Sequence, residues 1–112
     1  MARLRLSRPA ARDIAEILEA SDAAWGFDAR RRYEALIEKA LRAILADPRG
    51  VLTRDHSVLL RGLRSLHLRH VHEDVAAPVH FVWFRVVDGD VIEVIRVLHE
   101  RMEPGRHIGV RD

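Results

Sequence analysis

The spacing of hydrophobic positions changes twice along the chain. Arg3-Leu4-Arg5-Leu6 alternates polar and apolar, which predicts a short strand with one buried face. Ala10, Ile14, Ile17 and Leu18 then recur at helical spacing, an amphipathic helix of about three turns whose stripe closes near Leu18. Ser7 is placed to cap it, and Pro9 is tolerated in its first turn. Ser21 to Phe27 is expected to break the helix with Gly26 as pivot, Trp25 and Phe27 covering the corner. A second helix is predicted from about Asp28 to Ala46, with Tyr33, Leu36, Ile37, Ala40, Leu41, Ile44 and Leu45 as its stripe. Asp47-Pro48-Arg49-Gly50 stops it. Two helices joined so closely form an antiparallel hairpin.

Residues 51–62 show no period, with Leu59-Leu60 as a small apolar anchor. From Ser65 the period is two, placing Leu66 and Leu68 on one face and His67, Arg69 and Val71 on the other. A turn is expected over Glu73 to Pro78. Val79 to Val87 is apolar on both faces, Phe81, Trp83 and Val87 opposing Val82, Phe84 and Val86. Asp88-Gly89-Asp90 is a hairpin signal, and Val91 to Leu98 is again apolar on both faces, as in a central strand. The predicted order is β-α-α-β-β-β, the last three strands an antiparallel meander. The helix pair must pack on one sheet face to bury its stripe, giving an α+β domain with a helix hairpin on an antiparallel sheet.

Composition narrows the class. At 112 residues one domain is expected, large enough to fold without staples. The absence of cysteine excludes disulfides and thiolate metal sites. No apolar run approaches the roughly 20 residues of a membrane span, and the N-terminus lacks a signal-peptide core, so a cytoplasmic protein is expected. The net charge of +2 is mild but unevenly placed. Between Arg49 and His72 lie five arginines (Arg49, Arg54, Arg61, Arg64, Arg69) against Asp55 alone, whereas residues 1–46 carry nine basic and seven acidic groups. Arginine suits bidentate contact with carboxylate or phosphate; a GC-rich coding bias would raise its number but not cluster it.

Candidate chemistry is sparse. His67-x-x-His70-x-His72, with His80 beyond the turn, is a metal suspect, but no cysteine or nearby carboxylate completes a recognisable site and His67 points away from His70 and His72 on a strand; no metal and no cofactor is expected. Ser57 and Ser65 lack the elbow of a nucleophile, and no Gly-rich phosphate loop occurs. A metal-free ribonuclease needs a base, an acid and a cation for the phosphate. Arg69, Arg96, His99 and Arg101 supply those types, although Arg96 and His99 fall on opposite faces of a regular strand. The remaining class is partner binding. Met102-Glu103-Pro104-Gly105-Arg106-His107-Ile108 reads as too polar for core, and a helix hairpin on a curved sheet leaves a groove for a partner.

Four stretches carry a resemblance: Leu6-Ser7-Arg8-Pro9-Ala10-Ala11-Arg12-Asp13-Ile14, Ala46-Asp47-Pro48-Arg49, Gly62-Leu63-Arg64-Ser65-Leu66, and Ile95-Arg96-Val97-Leu98-His99-Glu100-Arg101-Met102-Glu103-Pro104. In this order, over nearly the whole chain, they resemble the ParE branch of the RelE/ParE toxin family. The resemblance implies one toxin domain over residues 1–112, part of a bacterial type II toxin–antitoxin module. It implies neutralisation by a ParD-like antitoxin in a hetero-oligomer, and DNA gyrase as target. The RelE-like alternative is a ribosome-dependent endoribonuclease cutting mRNA, and whether the chain is an enzyme stays open. RelE-type sites use several lysines or arginines with a C-terminal tyrosine; here the only tyrosine is Tyr33 and the only lysine Lys39, which argues against cleavage. The expected target- or antitoxin-binding residues are Arg64, Arg69, Arg96, His99, Arg101 and Met102. The histidine-bearing segment 67–80 departs from the tight hairpin the resemblance implies. Arg96, between Ile95 and Val97, needs a partner or an exit to water; its replacement by alanine is expected to spare the fold and weaken toxicity.

Overall fold

The computed structural model describes residues 2–72 and 77–109. Strand β1 (Arg3–Leu6) leads into helices α1 (Arg8–Trp25) and α2 (Phe27–Ala46), followed by β2 (Arg54–Asp55), β3 (Leu63–His67), β4 (His80–Val87) and β5 (Val91–His99). Short 3-10 turns occupy Leu68–His70 and Pro104–Arg106. The sheet order is β1-β5-β4-β3-β2. β1 lies parallel to β5, with Leu6 opposite Val94, and the other pairs are antiparallel. The sheet is therefore mixed, and β1 is the strand that departs from the expected antiparallel arrangement. Alternation in Arg3–Leu6 reveals a buried face but carries no information on direction.

Each helix boundary has a local cause. Ser7 Oγ accepts from Ala10 N–H at 3.1 Å, as its capping position dictates, and donates to Ile95 C=O at 2.7 Å. The expected break over residues 21–27 narrows to Gly26 alone. Its φ of +95° is open to glycine without strain, and its N–H closes α1 on Asp22 C=O at 2.8 Å. Ser21 and Asp22 stay helical, and Asp22 meets Arg30 of α2 at 3.4 Å, a contact between helices that local propensity does not include. Trp25 and Phe27 do not cover the corner; they stand 80 % and 63 % exposed.

The helix stripe builds the larger core. Ala10, Leu18, Leu36, Ile37, Ala40 and Ile44 pack on Leu66, Val82, Phe84, Ile92, Val94 and Val97 of the sheet. The opposite face carries a second core of Leu63, Trp83, Leu98 and Ile108, with Leu60, Phe81 and Ile95 against it. That second layer explains why β4 and β5 are apolar on both faces. It also corrects the reading of the C-terminal segment: Ile108 is fully buried there, held by a turn in which its N–H bonds to Pro104 C=O at 2.8 Å.

Two further differences shape the functional end. β3 stops at His67, and the expected strand through Val71 is instead a 3-10 turn, because His67 Nδ1 accepts Arg69 N–H at 3.0 Å. The turn expected over 73–78 lies partly outside the described residues. Between β4 and β5, Trp83 faces Arg96 but Phe84 faces Val94, so Ile95 is an extra residue in β5. The hairpin at Asp88-Gly89-Asp90 forms as expected, with φ of 48° at Asp88 and 70° at Gly89.

Candidate functional site

β1 covers β5 only as far as Val94, and beyond that point the β5 edge would be bare. Asp13, on the first turns of α1, fills the gap. Its Oδ2 accepts Val97 N–H at 2.9 Å and Arg96 Nε at 2.8 Å, and its Oδ1 accepts Arg96 Nη2 at 2.9 Å. Arg96 Nη1 also donates to His107 C=O at 3.4 Å. One carboxylate thus ties α1, β5 and the C-terminal turn together, and its hydrogen bond holds the guanidinium charge more firmly than usual. Arg96 therefore has a structural partner, against the expectation that its loss would spare the fold. The helical spacing of α1 marks Asp13 only as a solvent-side residue; nothing local links it to a strand more than 80 positions away.

Arg64 is similarly engaged. Its Nε and Nη2 donate to Thr53 Oγ1 at 3.1 and 3.0 Å, and Asp55 lies 3.9 Å away. The other expected site residues gather where β5 ends and β4 begins. His80 opposes His99 in register, with ring centroids 5.5 Å apart and nearly perpendicular. Tyr33 of α2 reaches them: its hydroxyl donates to His80 Nδ1 at 2.6 Å and accepts Val79 N–H at 3.3 Å. His99 Nδ1 accepts Arg101 N–H at 3.0 Å. With Nδ1 accepting, the His80 ring carries its proton on Nε2. Arg69, Arg101 and Met102 are exposed around this end. On the other sheet face His67 Nε2 donates to Glu100 Oε1 at 2.7 Å, and its ring stands edge-on to Phe81. A tyrosine in an aliphatic stripe needs a partner for its hydroxyl, the one sequence signal that could have flagged Tyr33.

Of the groups a nuclease would need, Arg96 is locked to Asp13, His99 lies on the helix-side face, and Arg69 and Arg101 are exposed in the turns that follow β3 and β5. Among the described residues no three histidine or acidic side chains converge as metal ligands: His67 and His80 lie on opposite faces, each with its own partner. Burial, aided by His99, pushes His80 down to about 4, and burial likewise lowers His67 and His56. Burial raises the Tyr33 hydroxyl, while the His67 hydrogen bond lowers Glu100.

A pH dependence follows. The depressed histidines are neutral when folded, so their contribution is complete above the unfolded value near 6.5. It is lost as pH falls from there toward the folded value, because the unfolded chain then takes up the proton first. For His80 the loss by pH 4 is about 2 kcal/mol, less than full linkage gives because the ring is partly exposed. Urea midpoints at pH 7.5 and pH 5 check this. A lower midpoint at pH 5, with a smaller drop in His80→Gln, is expected; equal midpoints would contradict it.

Beside Tyr33 the helix pair opens into a largely apolar cavity of about 700 Å³, lined by Ile17, Ala20, Ala24 and Trp25 of α1, Arg32 of α2 and Val79. Trp25, in its lining, is largely exposed, and the exposed Phe27 ring lies 6.0 Å from the Arg31 guanidinium.

Comparison with known proteins identifies the family. Among solved structures, one described as the chromosomal ParDE TA system from P. aeruginosa superposes with a TM-score of 0.67 at 19 % identity, covering 88 % of this chain and 96 % of that one, a likeness of fold. Toxin ParE1 of Caulobacter vibrioides is 30 % identical over 105 residues, 94 % of this chain and 96 % of the relative. Toxin ParE1 of Mycobacterium tuberculosis H37Rv is 29 % identical over 106 residues, 95 % of this chain and 97 % of its own. The family model for the ParE toxin of the type II toxin–antitoxin system parDE matches residues 4–104, which span every helix and strand of the sheet but the first residue of β1. With that span matched from Leu4 to Pro104, the chain belongs to the ParE toxin family of type II toxin–antitoxin systems.

Proposed function

We propose that this chain stops growth by binding and poisoning DNA gyrase in the cytosol, and that a ParD-like antitoxin neutralises it in a hetero-oligomer. The observation that carries the choice of a binding poison over a nuclease is the engagement of Arg96. It is tied to Asp13 and so is not available to a scissile phosphate, while Arg69 and Arg101 stay on the surface. Family membership supplies the toxin role; the gyrase target rests on the family and on this lack of a converged catalytic set.

The antitoxin reading places an amphipathic segment at the cavity of the helix pair, with an aromatic or aliphatic anchor inside it and an acidic residue near Arg32. From there the segment reaches Arg69, His99, Arg101 and Met102 at the end of the sheet. Arg64 and Arg96 support that surface from within the fold and make no direct contact in this reading.

Induced expression in a bacterial host tests the proposal. Growth arrest is expected, relieved by co-expression of the adjacent small gene. DNA synthesis should fall before protein synthesis. Protein synthesis failing first, with mRNA cut at the ribosome, would favour the nuclease class instead.

A further inference from the structure

The arm between α2 and β3, residues 47–62, presents exposed aliphatic side chains that the fold itself does not use. Val51 and Val58 are fully exposed, at 100 % and 104 %, and Leu52 and Leu59 are partly so. Such residues in a long connection would ordinarily fold inward or sit on a mobile loop. Here the backbone is held at many points. Gly50 N–H bonds to Asp47 C=O and Thr53 N–H to Gly50 C=O, while Thr53 Oγ1 donates to Gly50 C=O at 2.8 Å and accepts from Arg64. Further along, His56 N–H bonds to Leu63 C=O at 2.8 Å, and the His56 ring bonds to Ser65 Oγ at 2.9 Å and lies tilted against Trp83, centroids 4.6 Å apart. Leu60 anchors the arm in the second core. The valines are thus presented on a fixed support.

Charge indicates what they meet. Arg49, Arg54 and Arg61 are exposed on the same arm. The arm also holds two acids, Asp47 and Asp55, of which Asp55 is engaged by Ser57 and Arg64, so the three arginines leave its exposed balance slightly basic. Cations alone would suit nucleic acid, but a phosphate backbone offers no counterpart for four exposed aliphatic groups. A protein surface with an apolar recess rimmed by carboxylates matches both features.

We propose that this arm is the target-gripping surface of the toxin, inserting Val51 and Val58 into an acidic-rimmed apolar recess of the target protein and leaving the helix-pair cavity to the antitoxin. The proposal rests on the gyrase reading for the identity of the target, but not for the placement of the surface.

The test uses two full-length variants, Val51→Ser with Val58→Ser, and Arg49→Glu with Arg61→Glu. Melting temperature, antitoxin affinity, growth arrest, gyrase–DNA cleavage complexes and binding to bare duplex DNA are measured for each. Both variants are expected to melt like the parent and to bind antitoxin within about twofold, since surface substitutions of this kind are nearly neutral. Each is expected to yield at least about 30-fold fewer cleavage complexes and to lose growth arrest, as removal of an interface anchor does. Unchanged growth arrest in both overturns the proposal, as does a matching loss of antitoxin affinity. So does tight binding of the parent to bare DNA that the variants abolish. Should a variant melt early, the other decides. A parent that arrests growth without gyrase complexes defeats the gyrase reading alone; lost arrest with antitoxin binding intact then still supports the arm.

Discussion

Asp13→Ala is expected to destabilise this chain by about 3 kcal/mol, more than the loss of any other single charge in the fold. The carboxylate takes three hydrogen bonds, two from Arg96 and one from Val97 N–H. Its removal leaves a half-buried guanidinium and a strand N–H without their acceptor, and an uncompensated group costs more than the pair contributes. Asp13→Asn keeps one oxygen as acceptor for Val97 and should lose about half as much. Arg96→Ala should fall between the two, because Asp13 then still caps Val97. Urea unfolding at pH 7.5 orders the three variants. An Arg96→Ala protein as stable as the parent would return Arg96 to a surface role.

The second large effect is on partner affinity. Trp25→Ala is expected to weaken antitoxin binding about 100-fold while leaving the melting temperature unchanged. The side chain is 80 % exposed, so little buried area is lost on truncation. It lines the helix-pair cavity, where a tryptophan at a recessed interface commonly carries about 2 kcal/mol or more, about 30-fold upward in affinity. Titration calorimetry with purified antitoxin measures the change. An affinity within about twofold of the parent would remove the cavity from the antitoxin surface.

Both effects depend on residues whose roles the chain discloses unequally. Local features were readable: Ser7 as a cap, Gly26 as a pivot, Asp88-Gly89 as a hairpin, and the two-sided apolar runs of β4 and β5. Each depends on neighbours within a few positions. The Asp13–Arg96 pair depends on α1 crossing the open edge of β5, which no spacing encodes. β2, two residues long, is too short to have a period. The Ile95 bulge and the halt of β3 at His67 arise from pairing and from a histidine–backbone bond. Ile108 was hidden by polar neighbours, and Trp25 and Phe27 misled in the opposite sense, since apolar residues are not thereby inside. Of the expected site residues, Arg69, Arg101 and Met102 remain on the surface, His99 joins Tyr33 and His80, and Arg64 and Arg96 turn inward to support the fold.

In the proposed reading, an inward scaffold and two outward surfaces make the toxin a molecule that grips rather than cuts. The direct measurement is a gyrase assay with the purified chain, supercoiled plasmid and ATP, stopped with detergent and protease. The expected result is linear DNA that accumulates with toxin concentration, requires gyrase and disappears when antitoxin is added first. Plasmid that stays supercoiled at saturating toxin, in a preparation that arrests growth and cuts ribosome-bound mRNA, would contradict it.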